Sequence, residues 1–244
     1  MSALLEVRRL AAGYDRSVVV RDLDLIVDAG QTAVVIGPNG HGKTTMLRAI
    51  SGLIKPAGGE VTLDGEHIDG RSAESIAALG VVHIMQGDGL FADMTVEENL
   101  LMGAFVSSSW RGRRETLKRV YADLPVVESK RDQKARTLSG GERRLVGLGR
   151  GMMRPARVML IDEPSLGLAP VAIEAVYAAI AKLRAESGAT VVLVEENFTH
   201  IGGVADVVHI LETGSIVRSG SFDELSNDRT VVETYLGSIT DVTT

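Results

Sequence analysis

Short runs of β-branched and other apolar residues recur at Thr32 to Ile36, Val61 to Leu63, Gly80 to Met85, Val158 to Ile161, Thr190 to Val194 and Val207 to Leu211. Continuous apolar character of this kind reads as strands buried on both faces of a sheet. Segments with helical spacing lie between several of them, at Lys43 to Ile50, Glu142 to Met152 and Val171 to Glu186. Such alternation predicts an α/β fold with a parallel sheet. The rhythm breaks from about Val96 to Arg154, where helix-like segments at Val96 to Ala104, Gly112 to Leu124 and Glu142 to Met152 occur without a convincing strand. A helical subdomain inserted in the sheet is expected there. After Glu212 the pattern reads as two short strands, Ser215 to Arg218 being one half, and a pair of small helices.

Composition narrows the function. With 244 residues, 45% of them hydrophobic, the chain supports a substantial core and reads as one globular unit with a subdomain. A formal charge of −6 is the opposite of the basic footprint that holds nucleic-acid phosphates. Basic residues do gather in the inserted segment, at Arg111, Arg113, Arg114, Lys118, Arg119, Lys130, Arg131, Arg143 and Arg144. Glu115, Asp123, Glu128 and Asp132 interleave with them, which reads as solvated helix faces, and no nucleic-acid partner is expected. The absence of cysteine excludes disulfides, thiolate catalysis and cysteine zinc sites, and fits a reducing compartment. Met1 to Leu10 lacks the features of a signal peptide. Apolar runs fall far short of the roughly 18 residues that cross a bilayer, so work at a membrane is expected to proceed through a partner.

The chemistry concentrates in two places. Gly37-Pro38-Asn39-Gly40-His41-Gly42-Lys43-Thr44 matches the phosphate-binding loop pattern G-x-x-x-x-G-K-[ST], between an expected strand and an expected helix. Its glycines let backbone N–H groups converge on phosphate oxygens at a helix N-terminus, Lys43 is placed for the β- and γ-phosphates, and the Thr44 hydroxyl for Mg²⁺. Thr45, the next residue, is counted with the nucleotide-binding set. Val158 to Ile161 then delivers Asp162 and Glu163 to the C-terminal edge of the sheet, where phosphates lie. Asp162 is expected to hold Mg²⁺ and Glu163 to polarise the attacking water. ATP and Mg²⁺ are the expected ligands.

Leu138-Ser139-Gly140-Gly141-Glu142 offers a hydroxyl, two glycines and a helix N-terminus, a second anion site. Twenty residues ahead of Asp162, it makes the sequence resemble the ATP-binding cassette (ABC) ATPases over essentially its whole length. The resemblance implies a P-loop NTPase (RecA-like) core with N-terminal antiparallel strands, the core over 1–90 and 155–212, the helical subdomain over 91–154 and a C-terminal extension over 213–244. It implies that Ser139, Gly140 and Gly141 face the γ-phosphate of ATP held by a second chain. Tyr14 falls where the family stacks an aromatic ring on adenine, and Gln86 where it has a glutamine that senses Mg²⁺ and touches the membrane partner. The run Asp162 to Pro170, Leu211-Glu212-Thr213-Gly214 and the compact tail resemble the shorter ATPases of branched-chain amino acid importers.

That resemblance implies permease subunits, a second ATPase chain and, indirectly, a solute-binding protein, with work at the cytoplasmic face of the membrane. An importer ATPase for urea or amides and a non-transport ABC ATPase are the alternatives. Two positions depart from the family pattern. Glu196 stands where most members have a histidine contacting the γ-phosphate, and a carboxylate there repels phosphate oxygens unless protonated, turned away or paired. Arg143 stands where glutamine commonly follows the signature, and His200, expected one helical turn beyond Glu196, reads as structural.

Overall fold

The computed structural model describes residues 3–231 other than 16, 88, 106 and 197. Its elements run β1 (Ala3–Tyr14), β2 (Ser17–Asp28), β3 (Thr32–Ile36), α1 (Lys43–Ile50), β4 (Gly58–Leu63), β5 (Glu66–His67), α2 (Ala73–Ala78) and β6 (Val81–Ile84). Five helices follow, α3 (Val96–Met102), α4 (Ser107–Trp110), α5 (Arg113–Asp123), α6 (Pro125–Ser129) and α7 (Gly140–Met152). The chain closes with β7 (Val158–Asp162), α8 (Pro170–Ser187), β8 (Thr190–Glu195), β9 (Val207–Glu212), β10 (Ser215–Gly220), α9 (Phe222–Ser226) and α10 (Arg229–Val231).

A six-stranded sheet in the order β10-β9-β3-β8-β7-β6 forms the centre, parallel from β9 to β6, with β10 antiparallel at one edge. Alternation within its strands builds two cores. Ala33, Val35, Val158, Leu160, Val192 and Val194 point towards α1 and a four-stranded antiparallel sheet, β2-β1-β4-β5, packing with Leu5, Val7, Met46 and Leu47. Val34, Ile36, Met159, Ile161, Val191 and Leu193 point the other way, into a cluster with Leu145, Leu148, Ile180 and Leu183. Both faces are therefore covered, which is why these strands read as unbroken apolar runs.

Within the inserted segment, Val96, Leu100, Leu117, Val120, Leu124 and Val127 join that second cluster. The helices pack onto the sheet's own core. Two of them start on capping boxes: Thr95 with Glu98 opens α3, and Ser139 with Glu142 opens α7. Among the described residues no helix is long and apolar enough to cross a membrane.

Three expectations need correction. Val61 to Leu63 belongs to the antiparallel sheet, with Val61 and Leu63 buried and Thr62 partly exposed, so this run is half-buried and not enclosed. After Glu212 there is one described strand, β10, whose partner is β9 itself, followed by α9 and α10; residues 232–244 of the expected extension lie outside the described residues. His200 sits in a turn and not on a helix, its ring 5.9 Å from that of Tyr177.

Two histidines are enclosed by the fold. The Nδ1 atoms of His83 and His209 bond the hydroxyls of Ser51 and Ser219 at 2.9 and 2.7 Å, while both Nε2 atoms are buried without a partner. Burial pulls each pKa down to about 4, with Arg48 adding to the effect at His83. Between the unfolded value of 6.5 and about 4 the unfolded chain therefore binds protons that the folded chain refuses. Stability is complete above about pH 7 and falls as pH drops through that window, by up to about 3 kcal/mol for each histidine. Urea midpoints measured from pH 7.5 to 4.5 will fall steeply, and less so in the His83→Gln/His209→Gln variant.

Candidate active site

The P-loop leaves β3 at Gly37, whose N–H bonds the Glu195 carbonyl at 3.3 Å. A Cβ at this position would lie 2.3 Å from the Leu211 carbonyl oxygen, so the close passage of the two strands requires glycine. Gly42, at φ 108°, caps α1 without a side-chain acceptor. The first N–H groups of that helix are thus open to an anion.

Lys43 is 2% exposed. Its ammonium donates to the Gly37 carbonyl at 2.6 Å and the Pro38 carbonyl at 3.2 Å, reaches Asn39 Oδ1 at 3.5 Å, and pairs with Glu163 Oε1 at 3.1 Å. The other carboxylate oxygen of Glu163 accepts from Gln86 Nε2 at 2.8 Å. Glu163 has φ 44°, an unusual backbone state for a residue with a side chain, held by its N–H to the Val194 carbonyl at 3.0 Å. Thr44 Oγ1 donates to Asp162 Oδ1 at 3.0 Å. Burial pushes the Asp162 pKa up, the Thr44 bond opposes this, and the adjacent Glu163 charge adds to it. Asn39, Gly40, Gly42, Lys43, Thr44, Thr45, Gln86 and Glu163 line one cleft of about 270 Å³.

Residues far apart in sequence thus meet in one cleft. Other sequence-derived candidates lie outside its lining. Tyr14, 42% exposed at the end of β1, accepts a hydrogen bond from Arg48 at 2.9 Å. His41 turns to the β9–β10 connection, where its Nδ1 accepts from the Thr213 N–H at 3.2 Å. Ser139, Gly140 and Gly141 open α7, and the Ser139 hydroxyl accepts the Glu142 N–H at 3.3 Å. Glu196 follows β8 and is exposed.

At least four of the nine basic residues that gather in the inserted segment have partners on it: Lys118 pairs with Glu115, Arg131 with Asp132, Lys130 with Glu142, and the Arg113 guanidinium lies 3.9 Å from the Trp110 ring centre. A larger cleft of about 440 Å³ opens between β6 and helices α3 and α7, lined in part by Met85, Phe91, Met102, Phe105 and Arg150.

Sequence reasoning missed the side chains that hold the turn after Glu163. Glu195, 4% exposed, accepts from the Ser165 N–H at 3.1 Å, the Ser165 hydroxyl at 2.9 Å and the Tyr177 hydroxyl at 2.8 Å. Arg144, expected on a solvated helix face, is instead buried on α7, where it donates to the carbonyls of Gly87 and Leu166. An acid closing an otherwise apolar strand is the only signal that pointed to Glu195.

A family model described as ABC transporter matches residues 20–166. The chain is 33% identical over 234 residues to the high-affinity branched-chain amino acid transport ATP-binding protein BraG of Pseudomonas aeruginosa, covering 96% of this chain and 100% of that one. It is 32% identical to the lipopolysaccharide export system ATP-binding protein LptB of Acidithiobacillus ferridurans, covering 97% and 98%. Among solved structures, the ADP conformation of MJ1267, an ATP-binding cassette of an ABC transporter, superposes with a TM-score of 0.85 at 25% identity, over 97% of this chain and 100% of that one.

Proposed function

Because this chain belongs to the ABC transporter ATPases, we propose that it is the ATP-hydrolysing subunit of an importer of small solutes, branched-chain amino acids first among them. The convergence of Lys43, Thr44, Gln86 and Glu163 on one cleft, with Asp162 bonded to Thr44 behind it, is the observation that carries the reading. In it, the glycine-rich turn from Asn39 to Gly42 and the first turn of α1 present backbone N–H groups to the phosphates of ATP, and Lys43 takes the β- and γ-phosphate oxygens. Glu163 orients a water for attack on the γ-phosphorus and accepts its proton, giving ADP and phosphate.

Thr44 Oγ1 and Asp162 Oδ1, 3.0 Å apart, are hard oxygen donors suited to Mg²⁺ that takes its other ligands from water and phosphate. When bound, Mg²⁺ neutralises charge that develops on the transferring phosphoryl group. Burial makes a bare Asp162 carboxylate costly, which favours a cation beside it.

The separation of Ser139, Gly140 and Gly141 from the lining of this cleft supports their service to ATP on a second chain. Two chains then close head to tail over two nucleotides, and hydrolysis removes the bridge between them. The cleft where Met85, Phe91, Met102 and Phe105 meet Arg150 and Arg154, next to Gln86, is the surface we assign to the membrane-spanning permease, which would hold the chain at the cytoplasmic face. A solute-binding protein enters only through that permease.

Similarity to an export ATPase makes the direction of transport the point to test. Deleting the gene should abolish uptake of labelled leucine, isoleucine and valine, and only the parent sequence, not Glu163→Gln, should restore it. Unchanged uptake with loss of surface lipopolysaccharide would reverse the assignment to export.

A further inference from the structure

We propose that Glu195 is a positioning residue for hydrolysis, holding the turn that carries Glu163 through the backbone and hydroxyl of Ser165. This rests on Glu163 as the base. The turn is short and stiff. Pro164 fixes one φ angle, the Leu166 N–H returns to the Glu163 carbonyl at 3.3 Å, and the Leu168 N–H to the Ser165 carbonyl at 3.2 Å. On its N-terminal side the turn is anchored by the Glu163 N–H to Val194, and on its C-terminal side by the two Ser165 bonds to the Glu195 carboxylate. One dipeptide at the tip of β8, Val194-Glu195, therefore grips Glu163 from both sides. The same Glu195 also takes the Gly37 N–H on its backbone carbonyl, so the base and the first residue of the P-loop share one anchor.

The choice of a carboxylate here is informative. Glu195 is 4% exposed, and its three side-chain partners are neutral donors. Burying an acid with neutral partners alone costs the fold more than an apolar residue would. What the acid supplies is two fixed acceptors for three converging donors, which locks the Ser165 backbone in one place. Burial and the facing Glu195 carboxylate both push the Tyr177 phenol well above the usual tyrosine range, so it stays a donor at every working pH. Positioning at this level matters because a displaced catalytic group loses rate while the substrate still binds.

Steady-state ATP hydrolysis, affinity for a fluorescent ATP analogue and the thermal midpoint should be compared for Glu195→Ala, Glu195→Gln, Ser165→Ala/Tyr177→Phe and, as a control, Glu163→Gln. Glu195→Ala should lower kcat by about tenfold or more with analogue affinity kept within about threefold, a loss confined to the transition state. Glu195→Gln should recover kcat to within about threefold, because the amide oxygen still accepts from the Ser165 N–H and the Tyr177 hydroxyl while its NH₂ donates to the Ser165 oxygen. If the alanine variant does not fold, the double variant carries the test, again with reduced kcat and retained binding. Any smaller fall in kcat, or parallel loss of affinity and thermal midpoint without recovery by glutamine, would overturn the proposal. Parent-rate hydrolysis by Glu163→Gln would instead remove the base to be positioned, and so fails separately.

Discussion

Glutamine in place of Glu163 leaves ATP bound and slows its hydrolysis by about 10²–10⁴-fold, the range lost with a positioned general base. The amide has nearly the shape of the carboxylate but no basicity towards water. Local structure should survive the change. Glu163 Oε1 faces Lys43 and Oε2 faces Gln86 Nε2, so the new amide keeps its oxygen towards Lys43 and presents NH₂ to Gln86, whose own amide turns to offer oxygen. Binding without turnover should accumulate the ATP-closed pair of chains. Phosphate release measures the first effect, and gel filtration in ATP the second, as a shift to twice the mass. Hydrolysis at the parent rate would show that another group takes the proton.

Methionine in place of Lys43 should weaken ATP by about 10- to 100-fold, as expected for hydrogen bonds from a charged donor, and abolish turnover. It should also destabilise the protein with no nucleotide present. Lys43 and Glu163 pair with side chains 2% and 5% exposed, and removing one member strands the other charge away from water. Such losses run to about 3 kcal/mol. Adding Glu163→Gln to the methionine variant removes the stranded charge, so stability should largely return while hydrolysis stays absent. Urea unfolding of the parent, both single variants and the double variant gives the coupling directly. Equal midpoints for parent and Lys43→Met would mean that the pair contributes nothing to the fold.

The P-loop was legible because phosphate binding needs glycines, lysine and a hydroxyl at consecutive positions, so one short stretch of Gly37 to Thr44 holds the whole pattern. Asp162 and Glu163 were legible from the apolar strand behind them. The antiparallel sheet was harder. β1 and β2 pair with register shifts near Leu10 and Ala12, and Arg9 and Asp22 take φ of 47° and 48°, so the alternation that marks a half-buried strand slips along each. The contacts of Glu195 were hidden for another reason. Ser165, Tyr177 and Glu195 are ordinary residues separately, and only the packing of α8 beneath the turn brings them together. The neighbouring Glu196, which departs from the family pattern, is exposed.

Strand order has an evolutionary consequence. β8 lies between β3, which leads to the P-loop, and β7, which leads to Asp162 and Glu163. Its tip is the hinge of their mutual alignment, so a change there is felt by two partners at once. Substitutions at Glu195 should show strong epistasis with those at Ser165 and Tyr177. Descendants of this chain would then vary these three positions as a set.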